Sequence, residues 1–131
     1  IIKTNINEIY LYLYTMITSI ENKTALIELL NNNNGIVVLK FGAEWCGPCN
    51  QIESMVIDWF HKMPDTVQTG IIDVDECFEL YAFLKQKKMI QGIPAIFRYN
   101  SGNKNYIPDD MVSGTNKDEI DRFFTSILKY D

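Results

Sequence analysis

One stretch constrains the fold of this chain more than any other. The apolar run Ile36-Val37-Val38-Leu39 leads into Trp45-Cys46-Gly47-Pro48-Cys49. Ile36 to Phe41 is nearly continuous in apolar and β-branched residues, the pattern of a strand buried on both faces. From Cys49 onward, Ile52, Met55, Val56, Trp59 and Phe60 recur at helical spacing and make an amphipathic helix. Two thiols three positions apart therefore sit where a buried strand hands the chain to a helix. Such a pair closes into one small disulfide ring and reopens.

The flanking segments extend this alternation. Met16 to Ile20 reads as a short strand. Ala25, Leu26, Leu29 and Leu30 give a helix that starts near Glu21 or Asn22. Asn31 to Asn34 and then Gly35 end it, since Asn and Gly tolerate the left-handed conformation. Gly70 to Val74 reads as the next strand, and Cys77, Leu80, Tyr81 and Leu84 as one helical face. Ala95 to Tyr99 is a strand, and Ser101-Gly102-Asn103 a hairpin turn. Thr115-Asn116-Lys117-Asp118 resembles a capping box before a helix with the stripe Ile120, Phe123, Phe124, Ile127 and Leu128. The order β-α-β-α-β-α-β-β-α predicts an α/β fold, a mixed central sheet of about five strands with helices on both faces. Residues 1–14 fall outside the pattern and read as an N-terminal extension to a single domain over 15–131. Their Ile6, Ile9, Tyr10 and Leu13 fit a helical face, and Tyr-Leu-Tyr-Leu-Tyr also fits a strand.

Composition narrows the function. The 131 residues are nearly half apolar and long enough to bury a core without staples. Net charge is −5, and no basic cluster is present, which argues against nucleic acid or anionic membrane as partner. Three cysteines, Cys46, Cys49 and Cys77, are too few and odd for a secreted disulfide framework. No run is long enough to span a bilayer, and Ile9 to Ile20 lacks a signal-peptide cleavage pattern. The chain begins at Ile rather than Met, which leaves room for a removed targeting segment.

The first turn of a helix has unpaired N–H groups and a positive dipole end, both of which favour a thiolate at Cys46. Cys49, one turn deeper, is expected to be the more buried. Cys46 would then attack and Cys49 resolve the mixed disulfide. One CxxC pair supplies only two ligands for zinc or an iron–sulfur cluster, so no metal is expected. His61, the single histidine, is expected exposed near a helix end. Cys77 is either a packed helix residue or a regulatory thiol.

The chain resembles the thioredoxin family across roughly residues 15 to 130. Phe41 to Cys49 is close to the family's active-site stretch. Asp73-Val74-Asp75, Gly92-Ile93-Pro94-Ala95 and Val112-Ser113-Gly114 follow in the family's order. Ile20 to Ala25 and Ser113 to Lys117 look like the animal cytosolic branch. The resemblance implies a thioredoxin fold and a cytoplasmic, monomeric protein-disulfide reductase without a bound cofactor. Its electrons would come from NADPH through a flavoprotein thioredoxin reductase, and its substrates would be disulfide-containing proteins. It implies that Trp45 shields the site and contacts substrate, that Ile93–Pro94 is cis and faces Cys46, and that Ile93 pairs with an extended target chain. Gly92, Ser113 and Gly114 would complete the substrate groove. Gly47 and Pro48 form the turn between the thiols, and Pro48 removes a donor near the sulfurs. Thioredoxins are themselves the reference case for such a thiol, with a pKa near ~7 against ~8.5 for free Cys. That shift raises the thiolate fraction roughly fifteen-fold at neutral pH. Lower nucleophilicity leaves a net gain of only roughly three-fold. Positioning of the target and a ready second thiol must matter more.

Several residues depart from the family pattern. Lys40 stands where the family usually has a buried Asp, and Ile71 where many members have its Lys partner. Lys40 either snorkels to solvent or stays near Cys49. There it would act as a charge that stabilises thiolates and makes the pair more oxidising or, if neutral, as a base. Gly42, Asn50 and Ser54 replace bulkier, basic and helix-kinking residues. The stretches Asp75 to Pro94 and Pro94 to Gly114 are each longer than usual. Two other functions compete with the reductase. One is an oxidase or isomerase of an oxidising compartment, against which Gly47-Pro48 speaks. The other is a non-enzymatic subunit that binds a partner through its groove.

Overall fold

The computed structural model describes residues 16–130. The expected extension over residues 1–14 lies outside them. Among the described residues the order is α1 (Lys23–Asn32), β1 (Ile36–Gly42), α2 (Gly47–Lys62), β2 (Val67–Asp73), α3 (Phe78–Gln86), β3 (Ala95–Tyr99), β4 (Asp110–Ser113) and α4 (Lys117–Tyr130).

The sheet runs β2-β1-β3-β4. β1 is parallel to β2 and antiparallel to β3, and β4 is antiparallel to β3. The sheet is mixed as expected, and among the described residues it has four strands where about five were expected. The anticipated first strand contributes one parallel bridge, Ile17 to Gly70. Beyond Ile17 the chain leaves the ladder: the Ile20 N–H is donated to the Cys77 sulfur at 3.4 Å, and Ile20 turns into the core.

All seven residues of β1 are buried. Its alternation splits the core in two. Val37, Leu39 and Phe41 meet Leu26 and Leu30 of α1 and Leu80 and Leu84 of α3. Ile36 and Val38 meet Ile52, Val56 and Phe60 of α2 and Ile120, Phe124 and Ile127 of α4. Phe124 stacks on Trp59 at 5.4 Å between ring centres. Lys40 is the next residue on that second face.

Four local readings are corrected. Asn33, which ends α1, is extended at φ −103°, not left-handed. Its side chain instead accepts from the Gly35 N–H at 2.7 Å, a local Asx turn. Strand β2 starts at Val67, ahead of Gly70. Asn116 rather than Thr115 caps α4, accepting from the Glu119 N–H at 3.0 Å. His61 is half-buried rather than exposed. The turn at Ser101-Gly102 is present, with Gly102 at φ +87°, but the β3–β4 connection continues to 109. Tyr106 in that connection is held by the Tyr99 hydroxyl at 2.7 Å and packs edge-on against Phe83.

Two predictions follow from this packing. A Cβ on Gly35 would run into the Thr66 carbonyl, which is backbone and cannot swing aside. Gly35→Ala should cost about 1–3 kcal/mol in urea unfolding, the usual range for overpacking. Asp121 accepts from the Lys117 ammonium at 2.5 Å and from the Trp59 indole at 2.9 Å. These donors, Lys117 first, hold its carboxyl below the usual 3.8. A depressed carboxyl stabilises the fold above its unfolded pKa, and that contribution fades as pH falls through the lower folded value. Asp121→Asn should therefore lower Tm at pH 7, and the gap to wild type should narrow steadily below about pH 4.

Candidate active site

Strand β1 ends at Gly42, and a short turn carries the chain to Cys46. Cys46 is the N-cap of α2, with extended backbone at φ −85° and ψ 104°. Its sulfur accepts from the Cys49 N–H at 3.2 Å. A side chain in this place normally satisfies one of the helix's orphan donors, and here sulfur does so. Pro48, which has no N–H, sits in the first helical turn, where none is needed. His61 and Lys62 in the last turn complement the other dipole end.

Cys46 and Cys49 are joined in a disulfide with their Cα atoms 5.2 Å apart. The ring is closed, so both sulfurs are covered. Cys46 is 5 % exposed and Cys49 1 %. The expected order of exposure holds, although both cysteines are buried. Gly47 and Pro48 stand exposed over the ring. Trp45 is 70 % exposed beside it. Its indole N–H donates to Asp75 at 2.7 Å, and Asp73 accepts from the Asp75 N–H at 2.7 Å.

The second wall comes from β3 and β4. Ile93–Pro94 is cis. The Ile93 carbonyl oxygen lies 4.0 Å from the Cys46 sulfur. Pro94 is buried, and its carbonyl accepts from the Gly114 N–H at 3.0 Å. Gly114 takes φ +88°, which favours glycine. Ser113 pairs with Ala95 in the ladder. Pro94, Ile93, Ser113 and Gly114 are thus brought to one rim beside Cys46. Gly92 is exposed at its end, with open space where a Cβ would stand.

Lys40 does not reach solvent; it is 2 % exposed. Its ammonium donates to the Cys49 carbonyl at 3.3 Å and forms an ion pair with Glu53. The snorkelling alternative is thereby overturned. β1 alternation aims this side chain at α2, and its neighbours across the ladder, Ile71 and Ile96, are apolar. Glu53 is a residue that sequence reasoning missed. The available signal was its spacing, four residues after Cys49 and so on the same helix face. Asp75 is a second residue that sequence reasoning missed in this role: it holds the Trp45 indole from a different element.

Cys77 is 1 % exposed, takes no part in the disulfide and receives the Ile20 N–H. It is packed at the start of α3. Among the described residues, no group of three or more His, Cys, Asp or Glu could hold a metal ion. Nor is any described helix long and apolar enough to cross a membrane.

Comparison with known proteins agrees with this geometry. The thioredoxin family model matches residues 17–126. Horse (Equus caballus) thioredoxin is 32 % identical over 117 residues, covering 86 % of this chain and all of that protein. Human thioredoxin is 31 % identical over the same extent. A crystal structure of Plasmodium falciparum thioredoxin superimposes with a TM-score of 0.61 at 27 % identity, covering 82 % of this chain and 83 % of its own. Fasciola hepatica thioredoxin, at 24 % identity, shares the fold with a TM-score of 0.65, covering 84 % of this chain and 98 % of its own. The chain belongs to the thioredoxin family and is a thiol–disulfide oxidoreductase built around Cys46 and Cys49.

Proposed function

We propose that this protein is a general protein-disulfide reductase of the cytoplasm, acting as a monomer. A flavoprotein thioredoxin reductase would return it to the dithiol form with electrons from NADPH, and the chain itself would hold no cofactor. Its partners would be that reductase and proteins with accessible disulfides. The observation that carries this reading is the Cys46 sulfur, at a helix N-cap, beside the Ile93 carbonyl at 4.0 Å.

The cycle follows from that placement. The Cys46 thiolate attacks one sulfur of a target disulfide, and the other target sulfur leaves with the electron pair. The target segment lies extended along Ile93, whose backbone groups pair with it as a strand edge would. Gly92, Ser113 and Gly114 flank the segment, and exposed Trp45 covers it from the other side. Cys49 then attacks the Cys46 sulfur, the second target thiolate leaves, and the Cys46–Cys49 ring closes. That half-cycle would end in the Cys46–Cys49 disulfide, the pairing that the two residues' spacing allows.

A second reading, oxidase or isomerase, is favoured by one observation. Lys40 is buried against Cys49. A cation there stabilises thiolate over disulfide and makes the pair more oxidising. The reduction potential separates the readings. A value near about −270 mV supports the reductase, and one near about −180 mV or above supports the alternative.

Substitution of the cysteines tests the cycle itself. Cys46→Ser should abolish insulin reduction by NADPH and thioredoxin reductase, a loss of at least about a thousandfold expected for a missing nucleophile. Cys49→Ser should retain attack and accumulate mixed disulfides on Cys46, visible as adducts that dithiothreitol releases. Adducts on Cys77 instead would refute the assignment of roles.

A further inference from the structure

The resolving step has a requirement that the cysteines alone do not meet. Cys49 must lose a proton before it can attack, and it is the more buried of the two sulfurs. Lys40 reaches the backbone of Cys49 and holds Glu53 beside it. The Lys40 ammonium is bonded to the Cys49 carbonyl on one side and paired with Glu53 on the other. A Cβ built on Gly42 would stand 3.3 Å from the Cys49 sulfur and 3.7 Å from the Lys40 nitrogen. Both atoms therefore lie close against Gly42, where a side chain would crowd the sulfur. Lys40, Gly42, Cys49 and Glu53 together line a cleft of about 240 Å³. It has room and polar partners for bridging water. The Glu53 side chain is 41 % exposed, so it joins the buried pair to solvent.

We propose that Glu53, held in place by Lys40, is the acceptor that takes the Cys49 proton during resolution of the mixed disulfide. This rests on the thiol–disulfide exchange described above. The Cys49 S–H bond breaks and its proton passes across the cleft to the Glu53 carboxylate. The electron pair left on Cys49 forms the bond to the Cys46 sulfur. The bond from Cys46 to the target breaks, and the target sulfur leaves as a thiolate. The dithiol is oxidised, the target is reduced, and Glu53 releases its proton to solvent. Lys40 steadies the developing thiolate by its charge. Glu53 thus acts as the general base of the resolving step, and Lys40, which acts through Glu53 and Cys49, is a positioning residue.

Other ionisable groups face the same cleft: Glu44 from the turn after β1, Asp73 from the end of β2, and Glu76 before α3. Asp73 is engaged elsewhere, accepting from the N–H groups of Asp75 at 2.7 Å and Glu76 at 3.2 Å. Of the cleft's carboxylates, Glu53 is the one ion-paired to Lys40 and the one a helical turn from Cys49 on the same face.

The test separates the two steps. The reduced protein is mixed with a short peptide homodimer joined by one disulfide and quenched in acid at intervals. Intact masses give the free, peptide-bound and oxidised forms at pH 6.5, 7.5 and 8.5. With Glu53→Gln, the peptide-bound form should accumulate because resolution slows by on the order of a hundredfold at the lowest pH. The deficit should shrink as pH rises, when solvent alone removes the thiol proton. Glu53→Asp should recover most of the rate. Lys40→Met should slow the same step, and the double variant should be no slower than Lys40→Met alone. Glu53 is partly exposed, so its variants decide the matter even if Lys40→Met fails to fold. Wild-type resolution by Glu53→Gln at every pH, or equal slowing of both steps, would overturn the proposal. A wild-type protein that leaves the peptide dimer intact would instead overturn the exchange chemistry on which it rests.

Discussion

Strand β1 is enclosed on both faces and paired on both edges, by β2 and by β3. Every part of the redox site takes its position from that strand. Its end at Gly42 fixes where the turn to α2 begins, and so where the N-cap sulfur sits. Its edge partner β3 carries Pro94 at its entry, which brings the Ile93 carbonyl to Cys46. Its alternation sends Lys40 toward α2 rather than outward. A strand in the middle of a sheet cannot slip by one residue without turning its apolar set inside out. The register that protects the core therefore also fixes the site.

Burying Lys40 is the one place where this register conflicts with local preference. Taking an ammonium out of water costs on the order of several kcal/mol even after relaxation. The ion pair with Glu53 and the bond to the Cys49 carbonyl offset part of that cost. A hydrophobic residue of similar size would fill the space between Ile71 and Ile96 at no such cost. Conflicts of this kind concentrate at functional sites, and this one lies against the resolving cysteine.

What could be read from residues alone divides along physical lines. The buried strand, the four amphipathic helices and the pair of thiols at a strand-to-helix junction were legible. Each depends on a local period or on adjacent residues. The helix stripe from Ile120 to Leu128 needed no tertiary information, although its cap shifted from Thr115 to Asn116 because backbone geometry, not residue type, selects the cap. The first strand was misjudged because a competing partner, the Cys77 sulfur, takes the Ile20 N–H. The end of α1 was misjudged because Gly35 is required by the approach of Thr66 and not by its own dihedral angles. The fate of Lys40 was left open because its partner Glu53 lies on a different element. Contacts between elements are what a linear reading lacks.

The arithmetic of thiol chemistry says where such contacts should matter. Lowering the attacking thiol's pKa raises its ionised fraction and lowers its nucleophilicity, so attack by Cys46 gains only about three-fold from the helix terminus. Resolution is different. Cys49 is held one helical turn from its target sulfur, and an intramolecular attack of this geometry draws on a large effective concentration. Once approach is free, removal of a proton from a buried thiol becomes a larger share of the remaining barrier. A fold that already supplies proximity has little to gain from a still more acidic Cys46. It gains most from a charged pair placed behind Cys49, where Lys40 and Glu53 stand.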